Sequence, residues 1–218
     1  MKRFKNILCI VEPGKDCNLA LDRAVMLAEN NQANLSVITV IPSITAGIGM
    51  SEGGAISTEL QDATVKSCKQ ELENLVEPYL QRIKIEIKVL IGTPFLEIIR
   101  EVLRNVHDMV IKCPESPDWL TSLFSSDDKH LLRKCPCPVW MLRPQTGELF
   151  DHILAAVDVD DSYPSEELKT RQALNEMIIE LASSLAVSEF AALHVVHAWE
   201  AIGESFLRHG AFMQRPEN

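Results

Sequence analysis

Short apolar runs alternate with stretches of helical periodicity through the first two thirds of the sequence, and this alternation limits the fold more than any other feature. The runs cover residues 6–11, 35–41, 83–91, 108–111 and 139–142. A continuous apolar run of this length is typical of a strand that is buried on both faces of a parallel sheet. Because helices between such strands cover the two faces, the order of elements predicts a doubly wound α/β domain.

Details within these segments refine the prediction. Residues 83–91 (IKIEIKVLI) alternate strictly and indicate a strand nearer the edge of the sheet. Thr93 and Pro94 are typical of a helix start, with an N-cap followed by proline at the first helical position. An apolar stripe should follow on this helix, formed by Phe95, Ile98, Ile99, Val102 and Val106. The preceding long helix should place on one side Leu60, Cys68, Leu72, Leu75, Val76 and Tyr79.

The pattern then begins again. FDHILAAVD at 150–158 repeats FKNILCIVE at 4–12, and ALHVVHAWEAI at 192–202 repeats NLSVITVIPSI at 34–44. A helical stretch over residues 174–185 separates the later pair. We therefore expect a complete domain over 1–146, followed over 147–218 by the first βαβ part of a second, truncated copy.

Charge and hydropathy exclude several classes of function. The net charge is −10, and residues 147–218 contain 4 Lys and Arg against 13 Asp and Glu. Phosphate backbones would repel such a surface, so direct nucleic-acid binding is disfavoured. No apolar run approaches the ~20 residues that span a bilayer, and the apolar run after the basic start is too short for a signal peptide. We therefore expect a cytoplasmic protein without membrane contact.

The six cysteines predict packing rather than chemistry. They are Cys9, Cys17, Cys68, Cys113, Cys135 and Cys137. Disulfides are rare in the cytoplasm, and the Cys135-Pro136-Cys137 spacing lacks the two-residue gap of common zinc and thioredoxin-type sites. We expect small buried apolar side chains and no metal or other cofactor.

Four segments resemble the universal stress proteins. They are ILCIVEP (7–13), VLIGTPFLEIIREV (89–102), DMVIK (108–112) and HLLRKCPCPVWMLR (130–143), the last being similar to the final helix-to-strand junction of the tandem-domain members. The resemblance covers residues 4–143 as a whole domain and 150–202 as part of a second. It implies a flavodoxin-like, five-stranded parallel sheet of order 3-2-1-4-5, a cytoplasmic location, and a stress-response role that includes resistance to DNA-damaging agents. It implies no catalytic residues, although several members of the family bind ATP.

The resemblance also assigns a nucleotide pocket, which we expect to be vestigial in this chain. Its positions would be Glu12, Val40, Cys113, Ser116, Ser125, Ser126 and Asp158. The glycines that let backbone N–H groups approach phosphates in the family are replaced at 113, 116 and 125, and Pro114 has no N–H to donate. Asp127 and Asp128 begin the next helix, where they would repel a phosphate.

The remaining features concern partners. Exposed apolar edges seek partners, so we expect a homodimer through the last strand, Val139, Trp140, Met141 and Leu142. A second apolar group should cover the core or a partner domain, or line a pocket for a small apolar ligand; it consists of Trp119, Leu120, Leu123 and Phe124.

The histidines are not expected to bind a metal. His107 is expected in a surface turn, and His194 and His197 on opposite faces of a strand, where they cannot share a metal.

These observations favour a non-enzymatic stress protein that acts by binding a partner or a small ligand. The leading alternative is an ATP-binding stress protein with weak or no ATPase activity. A third class is an enzyme domain of related sheet topology, such as an adenylate-forming ligase. No catalytic motif of the nucleophile-elbow, zinc-protease or paired-carboxylate kind supports an enzyme.

Overall fold

The computed structural model describes residues 4–12, 14–44, 55–114, 127–142 and 150–198. The chain divides into two compact units, one of Arg3–Thr146 and one that contains Gly147–Asn218. In the described part of the chain, no helix has both the length and the apolarity needed to cross a bilayer.

The first unit is a parallel sheet with helices on both faces. Its strands are β1 (Asn6–Ile10), β2 (Asn34–Ile41), β3 (Ile85–Ile91), β4 (Met109–Lys112) and β5 (Val139–Met141). Its helices are α1 (Asn18–Asn31), α2 (Ala55–Val76), which continues as a 3₁₀ turn over Glu77–Tyr79, α3 (Pro94–Asn105) and α4 (Asp127–Lys134). The strand order is β3-β2-β1-β4-β5, and every pair is parallel, which confirms the predicted flavodoxin-like sheet with β3 at an edge.

The hydrophobic core lies on both sides of this sheet. On one side α3 and α4 cover the strands, and the buried cluster consists of Leu8, Ile10, Ile38, Ile98, Val102, Val110 and Leu131. Alternate residues of the same strands, such as Cys9 and Val37, point to the opposite side because successive side chains of a strand alternate. The helices α1 and α2 also contribute buried side chains, among them Leu21, Val25 and Leu72.

Two residues assigned to apolar stripes from the sequence are in fact exposed. Leu60, on α2, is 53 % exposed, and the first buried apolar side chain described on that helix is Cys68. Val106 is 73 % exposed because it lies beyond the last turn of α3. It adopts a left-handed conformation (φ 53°, ψ 46°) and its N–H is donated to the carbonyl of Val102, which ends the helix.

The second unit is a βαβ element. β6 (His152–Ala156) and β7 (Ala192–Val196) form a two-stranded parallel sheet, and α5 (Ser165–Glu189) connects them. Large apolar side chains remain exposed in this unit, with Leu154 at 65 % and Val195 at 53 %. The second, partial sheet predicted from the repeat is therefore present.

Candidate functional site

A buried ion triad lies at the carboxyl ends of β1 and β4. Lys112, the last residue of β4, donates to Asp128 in the first turn of α4 at 2.5 Å and to Glu12, just after β1, at 2.9 Å. The side chains of Lys112 and Asp128 are only 4 % and 2 % exposed, and that of Glu12 is 24 % exposed. The sheet itself brings these groups together, since β1 and β4 are parallel neighbours and Ile10 pairs with Lys112.

The charges of this triad stabilise one another. Burial disfavours a charged amine, but the two carboxylates outweigh it and raise the pKa of Lys112 above its ordinary value. Burial likewise disfavours the ionised form of Glu12, yet Lys112 and Lys15, which also forms an ion pair with Glu12, hold the pKa of Glu12 below its ordinary value. Asp127 and Asp128 were predicted to repel a phosphate at the start of this helix. The structure shows in addition that the carboxylate of Asp128 points inward to Lys112.

A small cavity adjoins the triad on the α2 side of the sheet. Its volume is about 160 Å³, and its walls are Val11, Glu12, Gly14, Lys15, Thr39, Cys68, Glu71, Leu72 and Leu75. The Thr39 hydroxyl is buried, and among the described residues it has no hydrogen-bond partner. The cavity thus combines an apolar wall with a polar anchor and two carboxylates, at the edge of the sheet where doubly wound folds bind ligands.

The predicted pocket residues of the first unit are only partly brought together. Glu12 lines the cavity, but β2 contributes Thr39 to it, while Val40 packs against the cluster on the opposite face. Cys113 follows Lys112 and is buried. Ser116, Ser125 and Ser126 lie outside the described residues, as do Trp119, Leu120, Leu123 and Phe124.

Asp158 lies in the second unit, just after β6, and is held in a network of its own. Its carboxylate forms an ion pair with Arg171, whose guanidinium lies 3.5 Å from the centre of the Tyr163 ring. The Asn175 amide donates to the Asp158 carbonyl at 2.6 Å and accepts from its N–H at 3.0 Å. A cavity of about 790 Å³ adjoins Asp158 at the carboxyl ends of β6 and β7.

Two pairs of thiols occur in the first unit. Cys17 and Cys113 are hydrogen-bonded to each other, and both are buried. The hydrogen bond from Cys113 lowers the pKa of Cys17 to about 7, while the same contact raises the pKa of Cys113. The Sγ atoms of Cys135 and Cys137 lie 3.7 Å apart. The sequence predicted that both side chains would be buried, but they are only half-buried.

The described histidines lie in separate surroundings. The expected surface turn at His107 is wrong, because this residue is only 6 % exposed. The left-handed residue Val106 ends α3, and the N–H of His107 is donated to the carbonyl of Val102, which keeps His107 close to the helix. His194 contacts His152 of the neighbouring strand at 3.1 Å, while His197 contacts the carbonyl of Val157. Across the described ranges, no three His, Cys, Asp or Glu side chains are placed to hold a metal ion.

The parallel sheet of order β3-β2-β1-β4-β5 makes the first unit a flavodoxin-like α/β domain. Residues 3–143 match the sequence pattern of the Universal stress protein family, and the chain belongs to this family. Within the family it is similar to universal stress protein E. It is 30 % identical over 207 residues to that protein from Photorhabdus laumondii and 29 % identical over 202 residues to that from Escherichia coli K12. Each match covers 91 % of this chain and 63 % of the relative, so the chain spans less than two thirds of these relatives.

Solved structures show the same fold. A putative universal stress protein from Pseudomonas aeruginosa UCBPP-PA14 has a TM-score of 0.63 and 25 % identity, covering 94 % of this chain and 66 % of that chain. A universal stress protein from Archaeoglobus fulgidus DSM 4304 also has a TM-score of 0.63 at 15 % identity, covering 94 % of this chain and 71 % of that chain. The fold is therefore retained where little of the sequence is shared.

Proposed function

We propose that this chain is a non-enzymatic, cytoplasmic protein of the stress response, including resistance to DNA-damaging agents, and that it acts by binding a partner or a small ligand. Its first unit does not hold a nucleotide tightly. The observation that carries this proposal is the position of Lys112, whose ammonium lies between the carboxylates of Glu12 and Asp128 at the edge of the sheet where ligands bind.

The triad opposes a phosphate in two ways. A phosphate at the first turn of α4 would find the positive end of the helix dipole already used by two carboxylates, that of Asp127 and the inward-pointing one of Asp128. To recruit Lys112, the phosphate would have to break its pairing with Asp128, and separating a buried ion pair costs about 3–5 kcal/mol. Since about 1.4 kcal/mol is a factor of ten, a micromolar site would weaken to at least the high micromolar range.

The two residues that follow Lys112 in the chain also oppose phosphate binding. Cys113 has a buried side chain at a position where a glycine would let the backbone approach a phosphate, and Pro114 supplies no N–H. These features remove donors that the ion triad does not replace. Among the described residues of the first unit, Lys112, Cys113 and Pro114 thus support the proposal that a triphosphate is not bound tightly.

The cavity beside the triad suits a smaller ligand. Its volume of about 160 Å³ lies below the ~300 Å³ at which pockets for drug-sized ligands begin. Thr39 offers a buried hydroxyl, and Leu72 and Leu75 offer an apolar wall. A compact, largely apolar molecule with one polar group fits these walls better than a nucleoside does.

The second candidate function is nucleotide binding without appreciable hydrolysis. The observation in its favour is the larger cavity of about 790 Å³ beside Asp158 in the second unit. Asp158 is, however, already paired with Arg171, and its backbone is held by Asn175. A nucleotide at this place would therefore have to compete with an internal cation.

Calorimetric titration of the intact chain with MgATP tests both candidates. The proposal expects a dissociation constant weaker than roughly 100 μM, and a value below roughly 10 μM overturns it. The matched variants Glu12→Ala and Asp158→Ala then assign any binding to the first or the second unit. Phosphate release from ATP above the buffer rate would overturn the non-enzymatic assignment.

The proposed partner in solution is a second copy of the chain. β5 is the edge strand of the sheet, and Val139, Trp140 and Met141 are only partly buried in the first unit. Leu142 differs from these three, because its side chain is 2 % exposed and its N–H is donated to the carbonyl of Lys112. Pairing of two edges would satisfy the backbone groups on the outer side of β5.

A further inference from the structure

Cys135 and Cys137 lie in the short connection between α4 and β5. The N–H of Cys135 is donated at 2.8 Å to the carbonyl of Leu131, which closes the last turn of α4. The backbone bends at Pro136 and Cys137, and β5 begins at Val139. This bend places the two Sγ atoms 3.7 Å apart on the same side of the connection.

Only these two thiols combine contact with each other and access to solvent, as far as the described residues show. Cys135 and Cys137 are half-buried and pack at the border of the core cluster beneath α3 and α4. Cys17 and Cys113 also touch each other, but both are buried, at 3 % and 5 % exposure. A small oxidant therefore reaches the first pair directly and the second only after the domain opens.

We propose that Cys135 and Cys137 form a reactive dithiol that reduces a hydroperoxide and closes to an intramolecular disulfide. This activity is independent of whether the cavity beside Lys112 binds a ligand. The two sulfurs must approach by roughly 1.7 Å to reach the disulfide length of about 2.05 Å. Because the bend lies outside the helix and the strand, this movement leaves the hydrogen bonds of β5 in place.

The reaction is balanced by the peroxide alone. The Cys135 thiolate attacks one oxygen of the O–O bond, which breaks, and the other oxygen leaves as an alkoxide that takes up a proton to become an alcohol, or water when the oxidant is hydrogen peroxide. Cys135 is then a sulfenic acid. The sulfur of Cys137 attacks it, the S–O bond breaks, and the hydroxide leaves as water with the proton of the Cys137 thiol. One hydroperoxide is reduced and two thiols are oxidised.

The environment of the pair assigns the order of attack. The hydrogen bond from Cys137 lowers the pKa of Cys135 to about 7, which favours Cys135 as the thiolate of the pair. The same contact, together with burial and the negative charge of Asp108, raises the pKa of Cys137. Cys135 is therefore the nucleophile, and Cys137 keeps the proton that is released in the second step.

Peptide mapping after oxidation tests this proposal on the intact wild-type chain. The chain is treated with a few equivalents of hydrogen peroxide, the remaining thiols are alkylated, and the protein is cleaved with trypsin. Because trypsin does not cleave between Arg143 and Pro144, both thiols lie in the tryptic peptide of residues 135–169. We expect this peptide to lose two hydrogen atoms and to escape alkylation, while Cys17 and Cys113 remain alkylated after unfolding. Earlier oxidation of Cys17 or Cys113, or a peptide 135–169 that stays fully reduced, overturns the proposal.

A matched pair of variants tests the assigned order. In Cys137→Ser the sulfenic acid of Cys135 has no thiol to consume it, so labelling by dimedone should rise about tenfold over the wild-type chain. In Cys135→Ser the remaining thiol is the one that stays protonated, and labelling should be about tenfold lower than in Cys137→Ser. Equal labelling of the two variants overturns the order. If either variant fails to fold, the wild-type peptide map still decides whether the dithiol reacts.

Discussion

The ring nitrogen Nε2 of His107 lies 4.0 Å from a carboxylate oxygen of Glu101, and the two side chains are 3 % and 4 % exposed. Glu101 also accepts from Lys88 and from the Asn105 amide, each at 2.8 Å. Neither ring nitrogen of His107 makes a hydrogen bond of good geometry within the described residues. Burial therefore lowers the pKa of His107 below its ordinary value of 6.5, against the opposing attraction of Glu101.

This burial predicts an acid-sensitive contribution to stability. Well above pH 6.5 the ring is neutral in both the folded and the unfolded chain. As the pH falls below 6.5, the unfolded chain takes up a proton that the folded chain does not, so stability falls until the lowered pKa is reached. The loss from His107 amounts to at most about 1.4 kcal/mol per pH unit.

Urea unfolding between pH 7.5 and pH 5 measures the slope. In His107→Met, which carries no titratable group, the decrease in unfolding free energy below pH 6.5 should be smaller than in the wild-type chain. Other groups around the site, Lys88, Glu101 and Asp108, remain in both proteins, so the difference isolates the histidine. Identical slopes would show that His107 is protonated equally in both states.

Val106 offers a site for stabilisation. A β-branched residue in the left-handed conformation is strained by about 1–2 kcal/mol, and the exposed side chain contributes little packing in return. Val106→Gly should therefore raise the free energy of unfolding by roughly 1 kcal/mol. Denaturant unfolding of the variant and the wild-type chain measures this difference in free energy.

The control for this substitution lies on the same helix. Leu103 is 63 % exposed in the interior of α3, where glycine only adds conformational freedom to the unfolded chain. Leu103→Gly should lower stability by about 1 kcal/mol. If Val106→Gly also lowered the free energy of unfolding, the backbone at Val106 would not be strained.

The ion triad predicts that replacing Lys112 alone by an uncharged residue lowers the free energy of unfolding strongly. Lys112→Met leaves the buried carboxylate of Asp128 without its cation, and the free energy of unfolding should fall by about 3–5 kcal/mol. The double variant Lys112→Met with Asp128→Leu should recover much of that loss, because no unpaired charge remains. Lys69→Met, at the exposed pair with Glu73, should change stability by about 0.5 kcal/mol or less.

The edge position of β5 predicts a concentration-dependent dimer. Light scattering at micromolar concentration should give roughly twice the chain mass of 24.4 kDa. Met141→Lys places a charge on the partly exposed edge, a device that blocks edge pairing, and should give a monomer. Leu103→Lys, on the exposed side of α3, should leave the dimer intact. A monomeric wild-type chain would contradict this assembly.

Much of the first unit follows from the spacing of its apolar residues. The observed strands Asn6–Ile10 and Asn34–Ile41 agree with the predicted runs within a residue at each end, because burial on both faces requires an uninterrupted apolar segment. Thr93 and Pro94 also stand where α3 begins, although Thr93 caps the helix without a side-chain hydrogen bond. The sequence of a single segment is therefore sufficient to predict where that strand or helix begins and ends.

The triad shows what such spacing cannot predict. Lys112 ends an apolar strand, and a charged residue there is usually solvated, so nothing periodic indicates that it is buried. Its partners lie 100 residues earlier, at Glu12, and 16 residues later, at Asp128. The available signal was the coincidence of three charges at the carboxyl ends of neighbouring strands and the next helix. Val106 was misplaced for a related reason, since the sequence does not show which residue of a stripe ends the helix.

The buried contacts of Lys112 also change how the protein responds to its surroundings. A site filled by a dissolved ligand stabilises the fold in proportion to the logarithm of the ligand concentration, so its melting temperature follows the supply of that ligand. Here the anion beside Lys112 is the carboxylate of Asp128, which is attached to α4, so its local concentration is fixed by the chain itself. We therefore expect the stability of the first unit not to follow the concentration of any anionic metabolite that would otherwise pair with Lys112.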